Sequence, residues 1–206
     1  MKQIRLDKLL LEKKLAKNID EVSSLINEKK IRIPNFNSKL LFEHTLVNID
    51  SNIKILDKKF VSRGGEKLDR FIADTDLIID QKICLDVGAS TGGFTDAFLK
   101  RGANKVYCID VGKSELNYKV RNDKRVVFFE NINAKYSFDL GFSKLDIIAV
   151  DVSFISVTKI IPQLKIFLSA NSVLIVLIKP QFEAKKNQIN KGGILTNNFL
   201  VPAIID

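Results

Sequence analysis

Residues 86–96 read Asp-Val-Gly-Ala-Ser-Thr-Gly-Gly-Phe-Thr-Asp and follow directly on Lys82-Ile83-Cys84-Leu85. A strand that ends in a carboxylate and runs into a glycine-rich turn is suited to holding a nucleotide-type cofactor. Glycine lets the backbone approach the ligand, and the helix that follows aims free N–H groups and its positive dipole end at it. Asp86, Gly88, Ser90, Gly92, Gly93 and Phe94 are therefore candidate cofactor-binding residues. The offsets of Gly88, Gly92 and Gly93 are not those of Gly-x-Gly-x-x-Gly, which disfavours a dinucleotide-dependent dehydrogenase. Asp110 ends the next apolar segment, about twenty residues past the turn, where a carboxylate can accept both hydroxyls of a ribose. Asn131, after Val126–Phe129, stands where an adenine-reading side chain would lie, in a loop that offers several polar alternatives. Asp151 closes the apolar run Ile147-Ile148-Ala149-Val150, and Lys179 follows the run that ends at Ile178. A charge at the carboxyl end of a buried strand opens onto the ligand crevice, and a lysine there is costly unless it is used. Lys67, in Ser62-Arg63-Gly64-Gly65-Glu66-Lys67-Leu68, falls in the first turn of an expected helix and completes a possible reactive cluster with Asp151 and Lys179. Taken singly, each of these charges is more often an ordinary ion-pair partner.

These residues need a frame. From residue 61 onward, expected strands near 82–86, 105–110, 125–129, 145–150 and 172–178 alternate with helical stretches such as Gly93–Arg101 and Ser114–Tyr118. That alternation is the pattern of a parallel α/β sheet, and the unbroken apolar run at 172–178 suits a strand covered on both faces. Leu68, Phe71 and Ile72 are expected to face inward from the helix that carries Lys67. The first sixty residues form a separate small α/β module. Leu6, Leu9, Leu10 and Leu15 mark one helix, and Asn18 with Glu21 caps a second that carries Val22, Leu25 and Ile26 and closes at Lys29-Lys30. Short strands follow at Ile31–Ile33, Leu46–Ile49 and Ile53–Leu56, with a turn at Pro34-Asn35.

The chain of 206 residues has a net charge of +9, and its N-terminal sixty residues are the more basic part. Such a balance suits a partner rich in phosphate, although solvated lysines alone would also produce it. Two cysteines, Cys84 and Cys108, cannot make a disulfide framework; they read as buried thiols side by side in a sheet interior. No secretory signal follows Met1, and the apolar run Val173–Ile178 is far shorter than the ~20 residues a membrane helix needs. A soluble, cytoplasmic protein is expected, with neither membrane nor metal among its partners.

Asp86-x-Gly88-x-x-x-Gly92-Gly93-Phe94 resembles motif I of S-adenosylmethionine-dependent methyltransferases. The N-terminal pattern, Ile4-Arg5-Leu6-Asp7-Lys8-Leu9-Leu10 opening a helix and Ile31-Arg32-Ile33 after a second, resembles an S4 RNA-binding domain. Here Pro34-Asn35-Phe36-Asn37 stands in place of the usual Val-Asn-Gly hairpin. Arg5, Lys8, Lys14, Lys17, Lys29, Lys30 and Arg32 are its candidate phosphate contacts. Together with Arg63-Gly64-Gly65-Glu66-Lys67-Leu68, Asp151-Val152-Ser153-Phe154-Ile155 and Lys179-Pro180-Gln181-Phe182-Glu183, these segments resemble, over essentially the whole chain, the TlyA (hemolysin A) family. The resemblance implies a Rossmann-like class I methyltransferase domain at 61–206, short of its last strands, after an S4-like domain at 1–60. It further implies S-adenosylmethionine as cofactor and 2′-O-methylation of ribose, on cytidine, in ribosomal RNA or ribosomal subunits. Lys67, Asp151 and Lys179 match three members of the family's Lys-Asp-Lys-Glu catalytic set, and its Glu is expected beyond Asp206 rather than at Glu183. A non-catalytic RNA-binding or ribosome-associated protein with a vestigial methyltransferase fold is the competing expectation. A membrane-lytic role, suggested by the family's name, lacks the required apolar segment.

Overall fold

The computed structural model describes residues 2–34, 36, 40–56, 59–113, 115–141, 144–197 and 201–205. The N-terminal module contains strand β1 (Gln3–Arg5), helices α1 (Leu6–Glu12) and α2 (Ile19–Asn27), and strands β2 (Ile31–Arg32), β3 (Leu46–Asn48) and β4 (Lys54–Ile55). β1 pairs antiparallel with β3, and β2 with β4. Ile4 and Arg5 therefore belong to a strand rather than to the opening of a helix. Leu15 lies outside α1, because Lys14 turns the chain at φ 55°. α2 begins where the sequence predicts: Asn18 Oδ1 accepts from the Glu21 N–H, and the Glu21 carboxylate accepts from the Lys17 N–H, each at 2.9 Å. A cap of this kind is worth about 1 kcal/mol. Leu6, Leu9, Leu10, Val22, Leu25, Ile31 and Val47 form the module's core. Asn35 and Asn37 of the expected turn lie outside the described residues.

The larger unit opens with helix α3 (Arg63–Asp74), followed by β5 (Ile83–Val87), α4 (Gly93–Lys100), β6 (Lys105–Ile109), α5 (Tyr118–Arg121) and β7 (Val126–Phe129). It continues with β8 (Ile147–Val150), α6 (Ile161–Leu164), β9 (Val173–Val176) and α7 (Pro180–Glu183). The five strands pair in parallel, in the order β7-β6-β5-β8-β9, close to the five expected segments. Alternate residues feed two apolar layers. Cys84, Val106, Cys108 and Ala149 face Leu68, Ile72, Phe94 and Phe98, while Leu85, Val87, Ile109 and Ile148 face Ile160, Leu164 and Phe167. A parallel strand covered on both faces has no polar side to display, so its sequence shows no alternation.

Several expectations shift in detail. Asp86 is an interior residue of β5, not its last, and is 1 % exposed. Phe71 is 42 % exposed instead of facing inward, because Leu68 and Ile72 already fill the buried stripe of α3. Lys67 is the fifth residue of α3, just past its first turn. The helix expected at Ser114–Tyr118 instead starts at Tyr118, where Asn117 caps it by accepting from the Lys119 N–H at 2.9 Å; Ser114 lies outside the described residues. The two cysteines are buried thiols but not neighbours, since Cys84 pairs in register with Val106, and Cys108 with Asp86. Burial pushes the Cys84 thiol up to about 12. Phe60 is buried in the core of the larger unit, so that core begins before residue 61.

Candidate active site

The carboxyl ends of β5, β6 and β8 open onto one rim, and the sequence between strands supplies its lining. After Val87 the chain turns through Gly88 at φ 84°, Ser90 at φ 46° and Gly92 at φ 87°, left-handed backbone that glycine adopts freely. A Cβ on Gly88 would lie 2.7 Å from the Asp151 carbonyl oxygen, so the turn and the tip of β8 touch as bare backbone. α3 crosses α4 equally closely: a Cβ on Gly65 would lie 2.8 Å from the Gly93 carbonyl oxygen and 2.6 Å from Phe60 Cβ. That crossing carries Lys67 to the rim. A cavity of about 430 Å³ results, lined by Lys67, Asp86, Gly88, Ser90, Gly93, Phe94, Asp151, Ser153 and Lys179 among others. The three candidate catalytic residues and the glycine turn thus line one cavity.

Lys179 caps α7, with Pro180 fixing the exit from the strand. Its Nζ lies 2.6 Å from Asp151 Oδ1 and donates to Ser153 Oγ at 2.8 Å. The approach to Oδ1 is off the axis of a directed hydrogen bond, so charge holds the pair. Both side chains are about one-fifth exposed, open enough to meet a substrate and sheltered enough for the attraction to outweigh that of a surface pair. Glu183 instead braces the loop behind them, accepting from Ser156 Oγ at 2.5 Å and from the Val157 N–H at 3.0 Å. Phe154 has φ 64°, unusual for a side chain of its size, and is 91 % exposed. Its ring packs at 5.2 Å against Phe182, beside Lys179. No spacing in the sequence marks this projection.

Asp86 lies beneath the turn. Its Oδ2 accepts from the Thr95 N–H at 2.9 Å and the Thr95 hydroxyl at 2.7 Å, while buried Oδ1 has no hydrogen-bond partner among the described residues. Burial pushes this carboxyl up to about 7; the Thr95 bonds oppose the shift, and Asp151 and Asp110 add to it. A second cavity of about 360 Å³ shares Gly88, Ser90, Asp151 and Ser153 with the first and continues past Asp110. Asp110 Oδ2 accepts from the Ser90 N–H at 2.7 Å and Oδ1 from the Gly112 N–H at 2.8 Å, which fixes the carboxylate toward the turn. Ile109, Val111, Ile132, Ala134 and Ile155 give this cavity apolar walls. Asn133, not the candidate Asn131, lines it; Asn131 takes φ 59° in the turn before.

A methyl donor built on adenosine fits this arrangement. The two cavities adjoin: one has apolar walls and the Asp110 carboxylate, and the other reaches the Asp86 carboxyl, whose buried Oδ1 has no hydrogen-bond partner among the described residues. The FtsJ-like methyltransferase family matches residues 60–203. The chain belongs to it. Hemolysin A of Brachyspira hyodysenteriae is 44 % identical over 168 residues, covering 79 % of this chain and 69 % of that protein. The 16S/23S rRNA (cytidine-2′-O)-methyltransferase TlyA of Mycobacterium tuberculosis is 33 % identical over 198 residues, covering 94 % and 73 %. A solved Streptococcus thermophilus protein, provisionally assigned as a hemolysin, superposes with TM-score 0.70 at 31 % identity over the whole chain and 76 % of its own. Despite those names, no helix among the described residues is long and apolar enough to cross a membrane, and no cluster of metal-ligating side chains occurs among them.

The basic candidates of the N-terminal module divide. Lys8, Lys14, Lys17, Lys29 and Arg32 are exposed, and Arg5 is half exposed but paired with Asp7 at 2.6 Å. Lys30 is not available to phosphate. It is 7 % exposed and its ammonium is paired with Glu28. A buried lysine needs such a partner, and nothing in the local charge pattern announces it.

Proposed function

We propose that this chain transfers a methyl group from S-adenosylmethionine to the ribose 2′-hydroxyl of cytidine in ribosomal RNA, with residues 1–60 acting as an S4-like RNA-binding domain. The observation that carries this reading is the single cavity lined by Lys67, Asp151, Lys179 and the glycine turn. Names borne by relatives at one-third identity or more point to the same substrate. Asp110 would hold the cofactor ribose, the Gly88–Gly93 turn and Asp86 its amino-acid end, and the walls around Ile132 its adenine. The cofactor supplies a methyl group already activated on a sulfonium, so the protein's task is alignment and proton removal. Bound beside these residues, the donor would offer its methyl carbon for in-line displacement by the 2′-oxygen, with the sulfide as leaving group. Lys179 serves as the base or as the group that orients the hydroxyl, and the Asp151 carboxylate holds and stabilises its ammonium form. Lys67 supplies positive charge that holds the target phosphate. Phe154 offers an exposed ring to an unpaired base, which is how single-stranded RNA is commonly gripped.

The deciding experiment is cofactor titration followed by methyl transfer to purified small- and large-subunit RNA. Lys179→Ala is expected to lower transfer at least 100-fold while cofactor affinity stays within about threefold. Normal turnover by that variant refutes the assignment. Absence of cofactor binding by the wild-type chain refutes the reading as a whole.

A further inference from the structure

The segment from Glu115 to Arg121 has two faces. One clasps the glycine turn: the Asn117 N–H donates to the Thr91 carbonyl at 3.2 Å, and Leu116 and Val120 lie where a Cβ on Gly92 would come within 2.6 and 3.1 Å. The other face meets the N-terminal module. Asn117 Nδ2 donates to Ser24 Oγ of α2 at 3.0 Å and to Glu28 Oε1, and the Ser24 hydroxyl itself donates to Glu28 Oε1 at 2.5 Å. Asn117, Ser24 and Lys30 are each less than one-tenth exposed, and Lys30 completes the cluster through its ion pair with Glu28. An amide whose oxygen caps α5, whose nitrogen is held by another module and whose backbone holds the cofactor turn is tied at three points. Because these groups are mostly buried, such a network is stronger than its bonds taken singly.

We propose that Asn117 is a positioning residue through which the N-terminal module holds the glycine turn in its cofactor-binding form. On this view the module does more than find RNA, because its second helix is part of the support for the methyl-donor site. The inference rests on the reading of the turn as an S-adenosylmethionine site.

Asn117→Asp tests it. Aspartate keeps the cap on α5 but turns a donor into an acceptor facing the Glu28 carboxylate. The full-length variant is expected to bind S-adenosylmethionine at least tenfold more weakly by calorimetric titration. The swapped pair Asn117→Asp with Glu28→Gln restores a donor opposite an acceptor and keeps one carboxylate near Lys30. It is expected to recover affinity to within about threefold of wild type, the non-additivity that marks a direct coupling. Wild-type affinity in Asn117→Asp overturns the proposal, as does a swapped protein that is folded by circular dichroism but binds no better than the single variant. Should the swapped protein fail to fold, Ser24→Ala decides. Affinity at least threefold weaker supports the coupling, and unchanged affinity overturns it. A wild-type chain that does not bind the cofactor instead refutes the reading on which the inference rests.

Discussion

Burial under α4 sets the acid–base behaviour of Asp86, whose carboxyl is pushed up to about 7. In the unfolded chain this group releases its proton near 3.8, so stability falls as pH rises from there through about 7 and then levels. A cation placed against Oδ1 favours the ionised form, so cofactor affinity is expected to increase with pH across the same upper limit. Titrations at pH 6 and pH 8 check this, and Asp86→Asn is expected to abolish the difference. At this scale the sequence was most legible where a charge interrupts an apolar run. Asp86, Asp110, Asp151 and Lys179 each stand out because an ionised group beside a buried strand needs a reason. Asn117 did not stand out, because its partners come from folding: Glu28 reaches it across 89 positions of sequence. Lys30 read as a phosphate contact because its burial beside Glu28 follows from the fold and not from the local charges. Asn131 takes a left-handed turn and Asn133, two positions on, lines the cavity, a difference of register that the polar loop does not show in sequence.

The elements that position the site are joined by backbone contacts that leave no room for a methyl group. Gly88→Ala would bring a Cβ against the Asp151 carbonyl and strain a left-handed residue. It is expected to lower cofactor affinity at least tenfold and stability by about 1–3 kcal/mol, read by calorimetry and chemical denaturation. The five strands were legible because a parallel sheet buried on both faces must be written in apolar residues. Short elements were not. β1 contains three residues, and its identity depends on the partner β3 rather than on local preference. α5 was misplaced for a related reason: four residues carry almost no periodicity, and the Asn117 cap that starts it also serves α2.

Across the whole molecule, net positive charge is denser in the N-terminal module while the candidate site lies on the sheet's rim. Reversing Lys8, Lys14 and Lys17 to Glu together is expected to weaken RNA binding and flatten its salt dependence by about one unit of slope per lost phosphate contact, with cofactor affinity retained. Lys30→Ala is expected to leave that slope unchanged and to lower thermal stability, because it removes the ion-pair partner of the mostly buried Glu28 carboxylate. Both effects are measurable by binding isotherms at several salt concentrations together with a melting curve. One consequence comes without any substitution. The chain has two thiols, neither with measurable solvent contact, and Cys108 Sγ rests 3.0 Å from the Thr95 hydroxyl that steadies Asp86. A disulfide reagent can therefore modify the native protein only while the strand beneath the glycine turn is transiently uncovered. Its reaction rate is a built-in clock for that opening, and saturating the methyl donor should slow it.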